Sequence, residues 1–155
     1  MRIPITMSHG TNPQRTPPFV VERFEHYFRI AAEMGFESIS YDQLAAWRGG
    51  EAALPPRPIM FDFDHPSKSI RHEILPIMAS HGFTGNLFIY TKAMEDLYAG
   101  PLPAFDARRW MTWDEIRELM DAGWHIGAHT HTHPDLSALS VEDPTGEAVC
   151  AELIR

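Results

Sequence analysis

The chain has 155 residues, a formal net charge of −8 and an apolar content of 44%, which suits one folded domain and excludes a disordered chain. The negative charge, without any basic stripe, excludes nucleic acid as a partner, because phosphate binding needs clustered lysine and arginine. The single cysteine excludes an internal disulfide, and no apolar run approaches the roughly 20 residues that cross a bilayer.

Short apolar runs alternate with amphipathic segments along the chain, a pattern that predicts a parallel α/β fold. Four core strands are predicted, and residues 36–40 form a shorter extended candidate. The core strands cover residues 3–7, 58–64, 86–90 and 124–128.

Helices are predicted between these strands from apolar residues at helical spacing and from glycine stops. A helix kinked by Pro76 is expected between residues 70 and 82, and Thr112 with Glu115 forms a capping box. The remaining predicted helices cover residues 20–34, 41–47 and the stretch after Ser140.

A cluster of histidines follows the last predicted strand, in the segment GAHTHTHP at residues 127–134. Imidazole is a ligand suited to zinc and similar transition metals. His129 and His133 can reach one ion if the chain turns after the strand, whereas an extended run would place His131 on the same face as both. Three histidines in five residues favour a metal site over a solvated strand end.

A pair of acids ends another apolar strand, in the segment FDFDHP at residues 61–66. Strand alternation places Asp62 and Asp64 on one side of the sheet, at the carboxyl end where α/β proteins build their sites. Alone, the pair could simply cap the following helix. Together with the histidines, it indicates a metal that activates water and a carboxylate that accepts the proton.

These segments resemble the NodB-type polysaccharide deacetylases, also called carbohydrate esterase family 4. Residues 129–133 match that family's second motif, His-Ser/Thr-x-x-His, and residues 134–137 continue it with Pro-Asp-Leu-Ser. Residues 75–78 look like the family's helix, and residues 7–10 resemble its Tyr-His lead-in. His9 in that lead-in is either a structural hydrogen-bonding residue or part of the site.

The resemblance implies an α/β fold that is a partial (β/α) barrel, truncated before its last strands. Residues 1–155 are expected to form one NodB-like domain, incomplete at its C-terminus, because such barrels need well over 200 residues to close. The family's orienting arginine, acetyl-binding wall and general-acid histidine would lie downstream. A chain that is inactive by itself is therefore one alternative. Exposed edges of an open barrel predict a possible homo-oligomer.

The first motif of the family, Thr-Phe-Asp-Asp-Gly, is altered in this sequence. The preferred register makes Asp64 the catalytic base and His65 a metal ligand, so that His65, His129 and His133 would hold zinc. The alternative register makes Asp62 the base and Asp64 a ligand.

The function implied by the resemblance is metal-dependent hydrolysis of N-acetyl groups from amino-sugar polysaccharides, with an N-acetylated carbohydrate as substrate. One alternative is an amidohydrolase of the same superfamily that acts on small cyclic amides, favoured by the unusual first motif. Another is an inactive metal-binding fragment, favoured by the missing general acid. Residues 1–7 are too short and broken for a signal peptide, so a cytoplasmic location is expected for the chain as it stands.

Overall fold

A computed structural model of the chain describes residues 2–12, 17–98 and 110–136. Five strands are present there: β1 (Ile5–Ser8), β2 (Glu37–Ser38), β3 (Pro58–Asp64), β4 (Asn86–Ile89) and β5 (His125–Ala128). The α-helices are α1 (Val21–Glu33), α2 (Tyr41–Arg48), α3 (Leu75–Ser80), α4 (Thr91–Tyr98) and α5 (Trp113–Asp121).

All the strand pairs are parallel, and the order across the sheet is β1-β3-β4-β5. The short strand β2 pairs with the first two residues of β3. Because the strands are parallel, their carboxyl ends meet at one edge of the sheet, which is where α/β proteins place their sites. Within the described residues, β1 and β5 are the outer strands.

Alternation along β3 separates the apolar core from the acids. Phe61 packs edge to face on Phe28 of α1, with ring centroids 5.2 Å apart, and Phe63 contacts Phe24 at 6.5 Å. Asp62 and Asp64 therefore point to the opposite face, as the sequence predicted. Phe61 and Phe63 belong to one buried cluster that also contains residues of α1, α3, β4 and α5.

The helix predicted to kink at Pro76 is resolved as two segments. Residues Ile70–Ile74 form a π-helical turn, in which the N–H of Leu75 bonds to the carbonyl of Ile70, and α3 follows with the proline in its first turn. Proline lacks an N–H and clashes with the carbonyl four residues earlier in a regular α-helix. The chain therefore departs from regular α-helical hydrogen bonding in the π turn directly before the proline.

Other predicted elements agree with the structure apart from their ends. The capping box of α5 is confirmed, since Glu115 N donates to Thr112 Oγ1 at 3.2 Å and Thr112 N to Glu115 Oε2 at 2.7 Å. Helix α4 was not predicted from the sequence, and the helix expected after Ser140 lies outside the described residues. None of the described helices has the length and apolar character needed to span a membrane.

Candidate active site

Three histidines from two separate segments converge at the carboxyl edge of the sheet. Ligand nitrogens of His65, His129 and His133 all lie within 4.8 Å of one another. His65 and His129 are half-buried and His133 is exposed. This trio is the ligand set of the preferred register, and imidazoles this close need only small side-chain rotations to reach one ion at about 2 Å bond lengths.

Strand β4 explains why His65 and His129 are neighbours. Their backbone N–H groups donate to two consecutive carbonyls at the end of this strand: His65 to Phe88 at 2.9 Å and His129 to Ile89 at 2.8 Å. Adjacent strands are about 4.8 Å apart, so the two histidines that flank β4 begin within reach of a common point. The parallel sheet therefore brings together motifs that are 64 positions apart in sequence.

A tight turn after β5 brings His133 back to His129. Thr130 and His133 both adopt positive φ angles, 66° and 59°, and His133 N donates to Thr130 Oγ1 at 3.1 Å. Ring centroids of His129 and His133 lie 4.7 Å apart. The segment therefore turns as Pro134 indicated, and it is not the extended run that would have put three histidines on one face.

His131 points away from the trio and anchors the turn to helix α4. Nδ1 of its buried ring forms a hydrogen bond with the hydroxyl of Thr91, at 2.9 Å. The carbonyls of Thr130 and His131 accept the N–H groups of Thr91 and Lys92, at 3.3 and 2.8 Å. These are orphan donors of the first helical turn, so the turn and α4 stabilise each other.

The electrostatics of His129 suit a metal ligand. Burial lowers the pKa of His129; Asp64 opposes that shift, while His133 and His9 add to it. A lowered pKa keeps the imidazole neutral near neutral pH, which is the form that binds a metal. Its buried Nε2 makes no hydrogen bond with the residues that the structure describes, and Asp64 Oδ2 lies 3.8 Å away. A buried nitrogen of this kind, facing two other imidazoles, fits a divalent ion.

The two candidate acids occupy different environments. Asp62 is buried and both its oxygens are engaged: Oδ2 accepts from the hydroxyl of Tyr41 at 2.7 Å and Oδ1 from the amide of Asn86 at 3.0 Å. Burial, followed by the bond to Asp62, raises the pKa of Tyr41 to about 12, so this hydroxyl stays a donor. Asp64 instead faces His129, with 16% of its side chain exposed. The geometry brings Asp64, and not Asp62, to the histidines.

Three further rings surround His65, and the sequence pointed to only one of them, His9, as a candidate site residue. His9, exposed after β1, packs edge to face on His65 with centroids 4.8 Å apart. Tyr90 lies 5.2 Å and Trp110 6.2 Å from the same ring. Tyr90 was predicted only as the end of a strand, and nothing local to Trp110 signals that it reaches this edge.

The chain belongs to the polysaccharide deacetylase family. The family model described as polysaccharide deacetylase matches residues 51–152, which is more than half of the sequence and contains both motifs of the candidate site. The resemblance inferred from those motifs is thereby confirmed. A comparison with curated protein sequences gave no significant match.

Solved structures of deacetylases share the fold of this chain. The de-N-acetylase from Aggregatibacter actinomycetemcomitans is similar with a TM-score of 0.72 at 16% identity, over 84% of this chain and 55% of that one. Deacetylase PplD from Streptococcus pyogenes, in complex with acetate, gives 0.69 at 17% identity, over 88% and 59%. IcaB from Ammonifex degensii gives 0.66 at 16%, over 96% and 67%. The expected α/β fold of the NodB type is confirmed, and this chain spans 55–67% of the length of those three chains.

Proposed function

We propose that this chain carries the metal-binding and base-supplying part of a hydrolase that removes N-acetyl groups from amino-sugar polysaccharides. The observation that carries the proposal is the convergence of His65, His129 and His133 within 4.8 Å, beside Asp64. Membership of the polysaccharide deacetylase family supports the carbohydrate substrate.

His65, His129 and His133 would hold the ion, and zinc is proposed because it accepts three neutral imidazoles and leaves a fourth position open. When bound, such an ion would lower the pKa of a water molecule and polarise the acetyl carbonyl. The protein's own contribution is geometric, since β4 fixes two of the imidazoles and the turn at residues 130–133 fixes the third.

Asp64 is proposed as the general base. Its carboxylate lies at the mouth of the trio, 3.8 Å from His129 Nε2, where it can accept a proton from the attacking water. That water adds to the acetyl carbon, the C–N bond breaks as the nitrogen gains a proton to balance the one that Asp64 accepted, and acetate and a free amine result. Asp62 would support this part of the sheet through its bonds to Tyr41 and Asn86.

Metal analysis and acetate release test the two parts of the proposal separately. His129→Ala and His133→Ala are expected to lose the metal, because each removes one of three ligands. Asp64→Asn is expected to keep the metal and to lose about 100-fold or more in acetate release from N-acetylated chito-oligosaccharides. Equal metal content in the wild type and both histidine variants would refute the site.

The same preparations decide between the alternatives. Turnover of small cyclic amides without turnover of chito-oligosaccharides would favour the amidohydrolase hypothesis. Stoichiometric metal with turnover of neither would favour an inactive metal-binding fragment.

We also propose that the chain self-associates through its β1 edge. Ile5 and Met7 on this outer strand are 54% and 61% exposed, and a cleft of about 390 Å³ opens beside it against α1. Outer strands with apolar side chains are templates for pairing with another copy. Sedimentation equilibrium should detect a dimer that Met7→Lys weakens; a monomer at all concentrations would contradict the proposal.

A further inference from the structure

An aromatic rim borders one side of the histidine trio. It consists of Tyr90, directly after β4, and Trp110, shortly before α5. Their ring centroids are 5.7 Å apart with planes at 87°, and Tyr90 also lies 5.8 Å from His133. Both residues are half-buried, unlike the fully packed aromatic residues of the core such as Phe63.

Trp110 is tied to the loop that carries His65. It forms an antiparallel bridge with Ser67, and the next residue, Met111, donates its N–H to the carbonyl of Pro66 at 2.7 Å. Met111 is fully buried and so anchors this segment in the core. The backbone of Trp110 is therefore held beside the loop that carries His65.

The two sides of the site differ in chemistry. Asp64 and the exposed His9 offer polar groups, whereas Tyr90 and Trp110 offer ring surface. An N-acetylated hexosamine has a matching division, because its pyranose ring has an apolar C–H face and its hydroxyl and amide groups are polar. Ligand sites commonly combine aromatic walls with a few convergent polar groups in this way.

We propose that Trp110, supported by Tyr90, binds the C–H face of the N-acetylated pyranose and sets the preference for sugar over other acetylated amines. This inference rests on the proposed function, and it assigns the substrate-binding surface of that site. Neither ring is proposed to hold the metal or to move a proton.

Binding of an N-acetylated chito-oligosaccharide, measured by calorimetry on Asp64→Asn protein so that no turnover occurs, tests the rim. In that background, Trp110→Ala is expected to weaken binding roughly tenfold, and Trp110→Phe to restore most of it. Trp47→Ala, in the last turn of α2, serves as the matched control and is expected to change nothing. Metal content should be the same in all four proteins.

The failures of the two proposals are distinguishable. If Trp110→Ala does not change oligosaccharide binding in the Asp64→Asn background, the proposed role of the rim is wrong and the proposed function is unaffected. Loss of metal in Trp110→Ala would show that the indole only supports the fold around His65, and would also overturn it. If Asp64→Asn protein binds no oligosaccharide and the wild type releases no acetate, the proposed function fails and the rim fails with it.

Discussion

His65 and His133 meet edge to face, with ring centroids 4.7 Å apart, and both have left-handed backbones with φ angles of 72° and 59°. Non-glycine residues in this region cost about 1–3 kcal/mol each, so the surrounding contacts must hold them there. The His65 N–H donates to the carbonyl of Phe88 and the His133 N–H to the side-chain hydroxyl of Thr130, and these bonds help to do so. Backbone strain of this kind concentrates where side chains must be aimed at a ligand.

His65→Asn separates the backbone requirement from the metal requirement. Asparagine tolerates positive φ but does not replace imidazole as a zinc ligand, so the variant should fold while its zinc affinity falls at least about tenfold. The unfolding free energy of the metal-free protein is expected to change by less than about 1 kcal/mol. Metal analysis and urea denaturation check the two halves.

The contrasting variant is His65→Val. A β-branched residue is poorly tolerated at a φ of 72°. The unfolding free energy of this variant should therefore be about 1–2 kcal/mol lower than that of His65→Asn. Equal stability of the two variants would show that the left-handed backbone does not constrain this position.

Tyr41→Phe tests the buried network around Asp62. It removes the hydroxyl that donates to Asp62 Oδ2 at 2.7 Å and leaves a buried carboxylate oxygen without that donor. The free energy of unfolding should fall by about 1–3 kcal/mol. Tyr27→Phe is the matched control, because Tyr27 is half exposed on α1, and it should change stability by less than about 0.5 kcal/mol. Similar effects of both substitutions would argue against a network specific to Asp62.

The sequence was sufficient where local patterns determine the structure. Two-residue alternation in β3 correctly divided Phe61 and Phe63 from Asp62 and Asp64, and the Thr112–Glu115 capping box correctly began α5. It was insufficient where distant contacts decide. Threonine and histidine do not signal the positive φ angles of residues 130 and 133, which tertiary contacts impose.

Helix α4 shows the same limit. Its first N–H groups, from Thr91 and Lys92, bond to carbonyls of Thr130 and His131, about forty positions later, and no local cap announces where it begins. The difference in environment between Asp62 and Asp64 also could not be predicted from the sequence. It depends on Tyr41 and Asn86, whose side chains reach Asp62 from other elements.

Gly85→Ala tests the close packing of Trp124 on Gly85, the residue directly before β4. An added Cβ would lie 2.6 Å from the indole of Trp124, a buried side chain that packs on Phe63. Overpacking of this kind should lower the free energy of unfolding by about 1–3 kcal/mol. At Gly49 the nearest atom is the mobile carboxylate of Glu51, 3.3 Å away, so Gly49→Ala is expected to be nearly neutral in the same denaturation assay. A neutral Gly85→Ala would mean that the indole can move aside.

Glu115 should make stability depend on pH. Burial alone would raise its pKa, but bonds from the Thr112 N–H, His72 and Lys68 outweigh burial and lower the pKa below the ordinary 4.5. A carboxylate with a lowered pKa in the folded state stabilises the protein above pH 4.5, and this contribution disappears as the pH falls through the folded value. Glu115→Gln should therefore cost about 1 kcal/mol near neutral pH, by weakening the capping box and both ion pairs, and almost nothing in strong acid.

Glu33→Gln, which removes an exposed partner of Arg29 on α1, should cost less than about 0.5 kcal/mol at neutral pH. Denaturation curves recorded across this range would contradict the assignment if the cost of Glu115→Gln stayed constant with pH.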